Sequence, residues 1–376
     1  MMRSLAYAVA LRMLPPSRLV LEGSGLAPQQ EKELHAVLRR HRSRAAELLL
    51  FNRDGISAHY LYGAKQPRFF RVASISKMVT AACVLKLQEQ GQMDLRRDIS
   101  DWLPYPVQNP HAQHKPIDLS MLLTHMSSLY DSTAYHAALG QRAPVPQLLP
   151  ASFSTYAPGE QWNYSNFGAG LIACVLEAAL QKSFEQIMQE SLFGPLGVTA
   201  SFYPQRIKEE LADAVRVLPP SRKRGFDAAE RKRRPLTDAD MPVPELHYTL
   251  AQGNCCMTAE GLFRLMRALM VPGFLRQETL ERMRAPAAGF GNRSPYLQQG
   301  MGLHILNDPG VSPHTLYGHQ GNAYGAVHAA FFDLSTNRGL VFLSEGISEA
   351  KRAFLASAVE DILNLGFKEA AWIATS

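Results

Sequence analysis

Apolar residues fall into blocks whose rhythm changes along this chain, and each rhythm predicts an element. Residues 28–42 read as a helix, followed by two short apolar runs at 47–51 and 56–61. Asp54-Gly55 between the runs suits a tight hairpin turn, which predicts an antiparallel pair of strands. Met78, Val79, Ala81, Ala82, Val84, Leu85 and Leu87 make the next helix apolar enough to run through a core, with Gly91 after Gln90 as its stop. Helical patterns recur at 119–125, 168–180 and 184–192. Beyond them, 302–306, 315–319, 326–333 and 339–344 read as strands, the last two joined by the turn Ser335-Thr336-Asn337-Arg338. Phe354, Leu355, Val359, Ile362 and Leu363 mark a terminal helix over 348–363 that can pack beside the first helix.

The order of these blocks predicts an α/β (α+β) fold in which the N- and C-terminal segments share one lobe. An antiparallel sheet flanked by the first and last helices forms that lobe, from 28–97 and 255–365, and 98–254 forms a mostly helical one. Residues 1–27 are read as an N-terminal extension and 366–376 as a C-terminal tail, around a single domain at 28–365. At 376 residues, 46% of them apolar, the chain can bury a large core. No internal repeat is visible, and no stretch is long and apolar enough to span a bilayer, so a soluble protein is expected.

Charge adds little. The net charge of +6 is concentrated in Arg222-Lys223-Arg224 and Arg231-Lys232-Arg233-Arg234, within a Pro- and charge-rich segment read as a solvated loop. Nucleic acid is not the expected partner; a weak contact of Arg222 to Arg234 with an anionic surface is the alternative. Cys83 and Cys174 fall in apolar helical patterns, and a bridge between the adjacent Cys255 and Cys256 would be strained. Neither a disulfide framework nor a metal motif emerges, so no metal and no cofactor are expected. Residues 1–14 make a poor signal peptide, without a small-x-small cleavage site before Pro15-Pro16, which favours a cytoplasmic location.

The candidate chemistry starts at Ser74-Ile75-Ser76-Lys77, where a hydroxyl and an amine sit one helical turn apart at the start of the apolar helix. Ser74 would lie at the helix end that favours negative charge, and a half-buried Lys77 would hold its proton less tightly and could act as a base. A second Ser-x-x-Lys, Ser348-Glu349-Ala350-Lys351, reads as a helix N-cap with an exposed lysine. What distinguishes the first is that Tyr164-Ser165-Asn166 and His319-Gln320-Gly321, the chain's one Tyr-x-Asn and one His-x-Gly, follow it in that order. A Gly-x-Ser-x-Gly elbow and a Walker A loop are both missing, which disfavours an α/β-hydrolase and a P-loop nucleotide enzyme.

These motifs resemble the serine β-lactamase and penicillin-binding-protein superfamily, on its class C, DD-peptidase and esterase-like branch. The likeness extends through Gln90 to Leu95, Ile117 to His125, Pro158 to Asn163, Gly194-Pro195-Leu196-Gly197 and Tyr317-Gly318, from about Ala45 to about Leu365. It implies a β-lactamase/transpeptidase-like fold and a small-molecule or peptide substrate.

The roles rest jointly on that resemblance and on chemical suitability. Ser74 would be the acylated nucleophile, with Lys77 or Tyr164 as its base; a Tyr164 phenolate kept between ammonium groups could shuttle a proton to the leaving group, the bland alternative being a packed phenol with its hydroxyl satisfied. Asn166 would orient substrate and help hold Lys77, its other reading being a helix N-cap. Gly321 would let substrate lie close along its strand, and the N–H groups of Asn322 and Ser74 would form the oxyanion hole.

Two departures stand out. His319 occupies the place where β-lactamases carry a lysine, which casts doubt on β-lactam hydrolysis and predicts that activity on anionic substrates falls as pH rises and the imidazole loses its proton. Ser128 stands where the family often has glycine. His125 is read as a structural histidine in a helix, and Tyr156 and Trp162 as packing around Pro158-Gly159, the lesser alternative being that one of them lines the cleft. The expectation is a serine hydrolase cleaving an amide or ester, nearer to a DD-peptidase or esterase than to an efficient β-lactamase. The alternative is a non-catalytic sensor or scaffold on the same fold. Many relatives act outside the cytoplasm, against the cytoplasmic reading of the N-terminus.

Overall fold

The computed structural model describes residues 19–368 except 140, 142, 210, 213–235, 292 and 293. The basic runs at Arg222-Lys223-Arg224 and Arg231-Lys232-Arg233-Arg234 lie outside the described residues.

The strands in chain order are β1 Leu21–Ser24, β2 Ala45–Asn52, β3 Ile56–Tyr62, β4 Phe69–Arg71, β5 Ala200–Ser201, β6 Leu211–Ala212 and β7 Cys256–Met257. They continue with β8 Ala288–Gly289, β9 Leu297–Gln299, β10 His304–Leu306, β11 Leu316–Ala323, β12 Ala326–Asp333 and β13 Arg338–Glu345. Nine of them form one antiparallel sheet in the order β1-β3-β2-β13-β12-β11-β10-β9-β8. The sheet therefore joins the two ends of the sequence, β13 lying beside β2 with Leu340 opposite Leu50. The other four strands make a small sheet, β5-β7-β4-β6.

Two hairpins of the large sheet follow from local chemistry. Asn52 Oδ1 accepts from the N–H groups of Asp54 (2.8 Å) and Gly55 (3.1 Å), closing the turn between β2 and β3. Asp333 Oδ1 accepts from Ser335 N (2.8 Å) and Oγ (2.7 Å), and Asn337 takes φ +56°, which turns β12 into β13. Leu21–Ser24, inside the segment read as an extension, is instead a strand at the sheet edge, with Leu21 opposite Tyr62.

The helices that position the site are α1 Pro28–Arg40, α2 Ile75–Glu89, α3 Leu119–Leu123, α4 Asn166–Leu180 and α5 Ser357–Phe367. On one face of the sheet α1 and α5 share a core, in which Leu34 and Leu38 pack with Val359, Ile362 and Leu363. On the other face α2 enters the larger core, with Ile75, Met78, Val79, Val84 and Leu85 wholly buried. Each such side chain is worth about 1.5–3 kcal/mol over exposure, which makes α2 a rigid platform. It stops at Gln90, followed by Gly91 at φ +70°, as its sequence predicts.

The terminal helix begins nine residues later than its apolar positions suggest. Ser348 caps no helix: its Oγ accepts from Ala350 N (3.3 Å), and a bridge pairs Lys351 with Ala356 before α5 starts at Ser357. Phe354 serves a different contact, since this loop carries its ring against that of Tyr164. All four cysteines are free and buried, and among the described residues no single helix is long and apolar enough to cross a membrane.

Candidate active site

Ser74 is the N-cap of α2, placed there by a backbone that turns sharply at Ala73 (φ +48°). A buried alanine in the left-handed region costs on the order of 1–3 kcal/mol, a strain that the surrounding structure must hold. Val72 N donates to Cys255 O (2.8 Å) and Ser76 Oγ accepts from Cys255 N (3.0 Å), so the small sheet clamps both sides of the turn.

One turn into the helix, Lys77 Nζ lies 3.3 Å from Ser74 Oγ, 2.9 Å from Asn166 Oδ1 and 2.6 Å from the carbonyl of Gln252. Burial pulls its ammonium down to about 7, against the opposing charge of Asp131. Tyr164 brings its ring within 5.0 Å of Nζ. Burial pushes its phenol well above the ordinary value, although a hydrogen bond to Ser74 partly offsets this. The phenolate envisaged from the motif is therefore corrected to a neutral phenol: the low-dielectric surroundings that release the Lys77 proton hold the Tyr164 proton in place.

Asp131 is the main residue that sequence reasoning missed. Its carboxylate accepts from Asn166 Nδ2 (2.7 Å), Ser165 Oγ (3.1 Å) and Phe167 N (2.9 Å) at the start of α4. With Nδ2 committed, the Asn166 amide turns its oxygen to Lys77. Asn166 itself is not the cap, because Ser165 Oγ accepts from Gly168 N (2.9 Å). His125 also differs from expectation. It lies beyond α3 at φ +58°, its Nδ1 accepts from Ser165 N (3.3 Å), and its ring sits 4.3 Å from that of Tyr164. With Nδ1 bonded and its ring against Tyr164, it packs the site. Ser128 takes φ +63°, where glycine is at home, and its Oγ accepts from Asn109 Nδ2 (3.0 Å).

The third motif lies on β11, and the structure revises two of its residues. His319 is 1% exposed, and burial together with the nearby Lys77 charge takes its imidazole down to about 3. Its Nδ1–H donates to Gln320 O (2.6 Å), which leaves Nε2 as a bare acceptor. The expected charge change near neutrality is thus lost to desolvation. Gly321 is required by the protein's own backbone, since a Cβ there would lie 2.4 Å from the carbonyl of Val72, two residues before Ser74.

Asn322 is placed as the strand pattern requires. Tyr324 (φ +55°) and Gly325 (φ +91°) make a two-residue turn closing on the pair Ala323 and Ala326. Alternation along the ladder then makes Asn322 and Val327 a non-hydrogen-bonded pair, with the Asn322 N–H turned away from β12. β10 pairs only with Leu316, Tyr317 and Gly318, so it does not cover that edge. Gln320, between the motif's named residues, donates to Phe354 O (3.0 Å) and accepts from Ala356 N (3.0 Å), pinning the loop before α5.

Trp162 lines the same region, 6.5 Å from Tyr164 and 4.0 Å from Phe290 between ring centroids, and is not merely packing around a turn. The structure therefore gathers Ser74, Lys77, Tyr164 and Asn166 into one hydrogen-bonded cluster beside His319. Among the described residues no group of three or more His, Cys, Asp or Glu side chains could hold a metal ion.

The fold is of the β-lactamase/transpeptidase type, and comparison with known proteins agrees. The chain belongs to the Beta-lactamase family, whose model matches residues 49–363. Penicillin-binding protein 4* of Bacillus subtilis (strain 168) is 30% identical over 152 residues, 40% of this chain and 34% of that protein, so the match spans about a third of its length. Esterase EstB of Burkholderia gladioli is 23% identical over 396 residues, 93% of this chain and 97% of that protein. Among solved structures, "EstCE1, a hydrolase with promiscuous acyltransferase activity" has the same fold, with a TM-score of 0.73 at 19% identity over 90% of this chain and 98% of that one.

Proposed function

We propose that this protein is a serine hydrolase that cleaves an ester or amide through an acyl-enzyme on Ser74. One observation carries the reading: the Nζ of Lys77, whose pKa burial brings to about 7, is held 3.3 Å from Ser74 Oγ. Neutral Lys77 donates its two N–H bonds to Asn166 Oδ1 and Gln252 O, and its lone pair accepts from the Ser74 hydroxyl. As Oγ attacks the substrate carbonyl carbon, its proton moves to Lys77. The carbonyl oxygen becomes an oxyanion held by the N–H groups of Ser74 and Asn322. Tyr164, protonated, gives its proton to the departing oxygen or nitrogen as that bond breaks, and takes one back from Lys77. Water then adds to the acyl-enzyme by the same route in reverse order, releasing the acid and restoring Ser74.

The alignment with Esterase EstB over nearly the full length of both chains supports this reading. Neutral His319 offers no cation to a substrate carboxylate, which favours esters and amides over classical penicillins. Intact-mass spectrometry after exposure to a fluorophosphonate tests it. One adduct is expected on the unaltered protein and none on Ser74→Ala; equal labelling of both would overturn the assignment.

A further inference from the structure

Beside Tyr164 lie polar atoms that the proposed reaction does not use. His304 on β10 is fully buried, and both of its ring nitrogens lack a hydrogen-bond partner among the described residues. The same holds for Nε2 of His319, which stacks on His304 with ring centroids 4.0 Å apart, and for Nε1 of Trp162. Buried polar groups in folded proteins are nearly always satisfied, because an orphaned one has given up water for nothing. Four such atoms on three neighbouring side chains are groups that a ligand would satisfy. Their chemistry is mixed: Trp162 can only donate, His319 Nε2 can only accept, and His304 offers one of each.

The side chains packed around them are aromatic. The Phe290 ring lies 4.0 Å from Trp162 and 5.2 Å from His304, and the Phe354 ring 5.4 Å from His304 and 5.6 Å from Tyr164. Trp162 and Phe354 are partly exposed, so the cluster reaches the surface through them. It also touches the residue that protonates the departing atom, which places it on the leaving-group side of the scissile bond. Aromatic faces favour another ring, and the orphaned atoms favour a substituent that can hydrogen-bond.

Resting on the hydrolase reading above, we propose that His304, His319, Trp162, Phe290 and Phe354 form a leaving-group subsite for an aromatic alcohol or amine carrying a further hydroxyl or amide group. Acetate esters of ethanol, benzyl alcohol and 1,4-benzenedimethanol keep the acyl group constant and differ little in leaving-group reactivity. The unaltered protein should prefer benzyl over ethyl ester by roughly tenfold or more, through KM, and the hydroxymethyl-bearing ester should gain further. Phe354→Ala should lower the benzyl-to-ethyl ratio. His304→Phe should keep that ratio and erase the hydroxymethyl gain.

Calorimetric titration with 1,4-benzenedimethanol reads the subsite without turnover, and should show binding to the unaltered protein that His304→Phe weakens. An unchanged ratio in Phe354→Ala, or no binding of the diol, overturns the subsite; fluorophosphonate labelling of Ser74 then still upholds the hydrolase. Diol binding without any labelling of Ser74 upholds the subsite and overturns the hydrolase reading instead.

Discussion

Lys77 and His319 are both buried cations-in-waiting, and burial acts on them in the same direction with different results. A lysine starts far above neutrality, so desolvation brings it to about 7, into the range where it can exchange a proton. A histidine starts near neutrality, so the same effect removes it to about 3. Asp131 opposes the loss at Lys77, because its negative charge favours the ammonium. Replacing it by asparagine should therefore let Lys77 lose its proton at lower pH. The acid limb of the pH–rate profile, expected near 7 in the unaltered protein, should move down in Asp131→Asn, and an unmoved limb would show that Asp131 is only structural. For His319 the expectation is a rate on anionic substrates that does not follow imidazole titration between pH 6 and 8 (roughly, from the ordinary histidine range). His319→Lys should raise kcat/KM for carboxylate-bearing substrates, on the order of tenfold for one charge-assisted contact. Penicillin turnover that is already efficient without the substitution would contradict this account.

Elements meet the site where small residues let backbones approach. β11 crosses behind Val72 at Gly321, and the contact leaves no space for a methyl group. Gly321→Ala should cost about 1–3 kcal/mol of stability by overpacking. It should also slow acylation of Ser74, because the carbonyl it displaces lies just upstream; a variant with native melting temperature and native labelling rate would refute this. Gly302 has a similar function against α2 itself, at φ +71°, where an added Cβ would lie 2.4 Å from that of Ala81. Periodicity along a single element cannot reveal either approach, since the residue that forbids the side chain is distant in sequence. The delayed start of α5 has a similar cause. Residues 348–356 keep helical spacing, but Gln320 from β11 binds the loop at Phe354 and Ala356 and offers it hydrogen bonds a helix would otherwise supply.

For the molecule as a whole, the two ends of the chain are held together at Asp361 on α5, which meets His41 (2.8 Å), Arg40 (3.0 Å) and Arg352 (2.8 Å). Burial alone would raise its carboxyl, but the hydrogen bonds and charges of His41 and Arg352 outweigh that and hold it at about 2, below the ordinary 3.8. A carboxyl depressed on folding stabilises the native state fully above its unfolded pKa and loses that effect as pH falls through the folded one. Urea unfolding of Asp361→Asn should thus show a lower midpoint than the unaltered protein above pH 4 (roughly), converging with it toward pH 2 (roughly). A gap that persists in strong acid would point to packing. The sequence by itself determined the alternation of strands and helices, the apolar helix led by Ser74, and the order of the three motifs, because these depend on residue type and near-neighbour spacing. Only the tertiary structure decided that β1 joins the sheet, that Asp131 orients Asn166, that Gly321 makes room for Val72, and that His304 and Phe354 stand beside Tyr164. Each of these depends on contacts between segments far apart in the chain, and His319 shows the consequence most directly: its residue type suggests a cation near neutrality, while desolvation in the assembled core makes it a neutral acceptor.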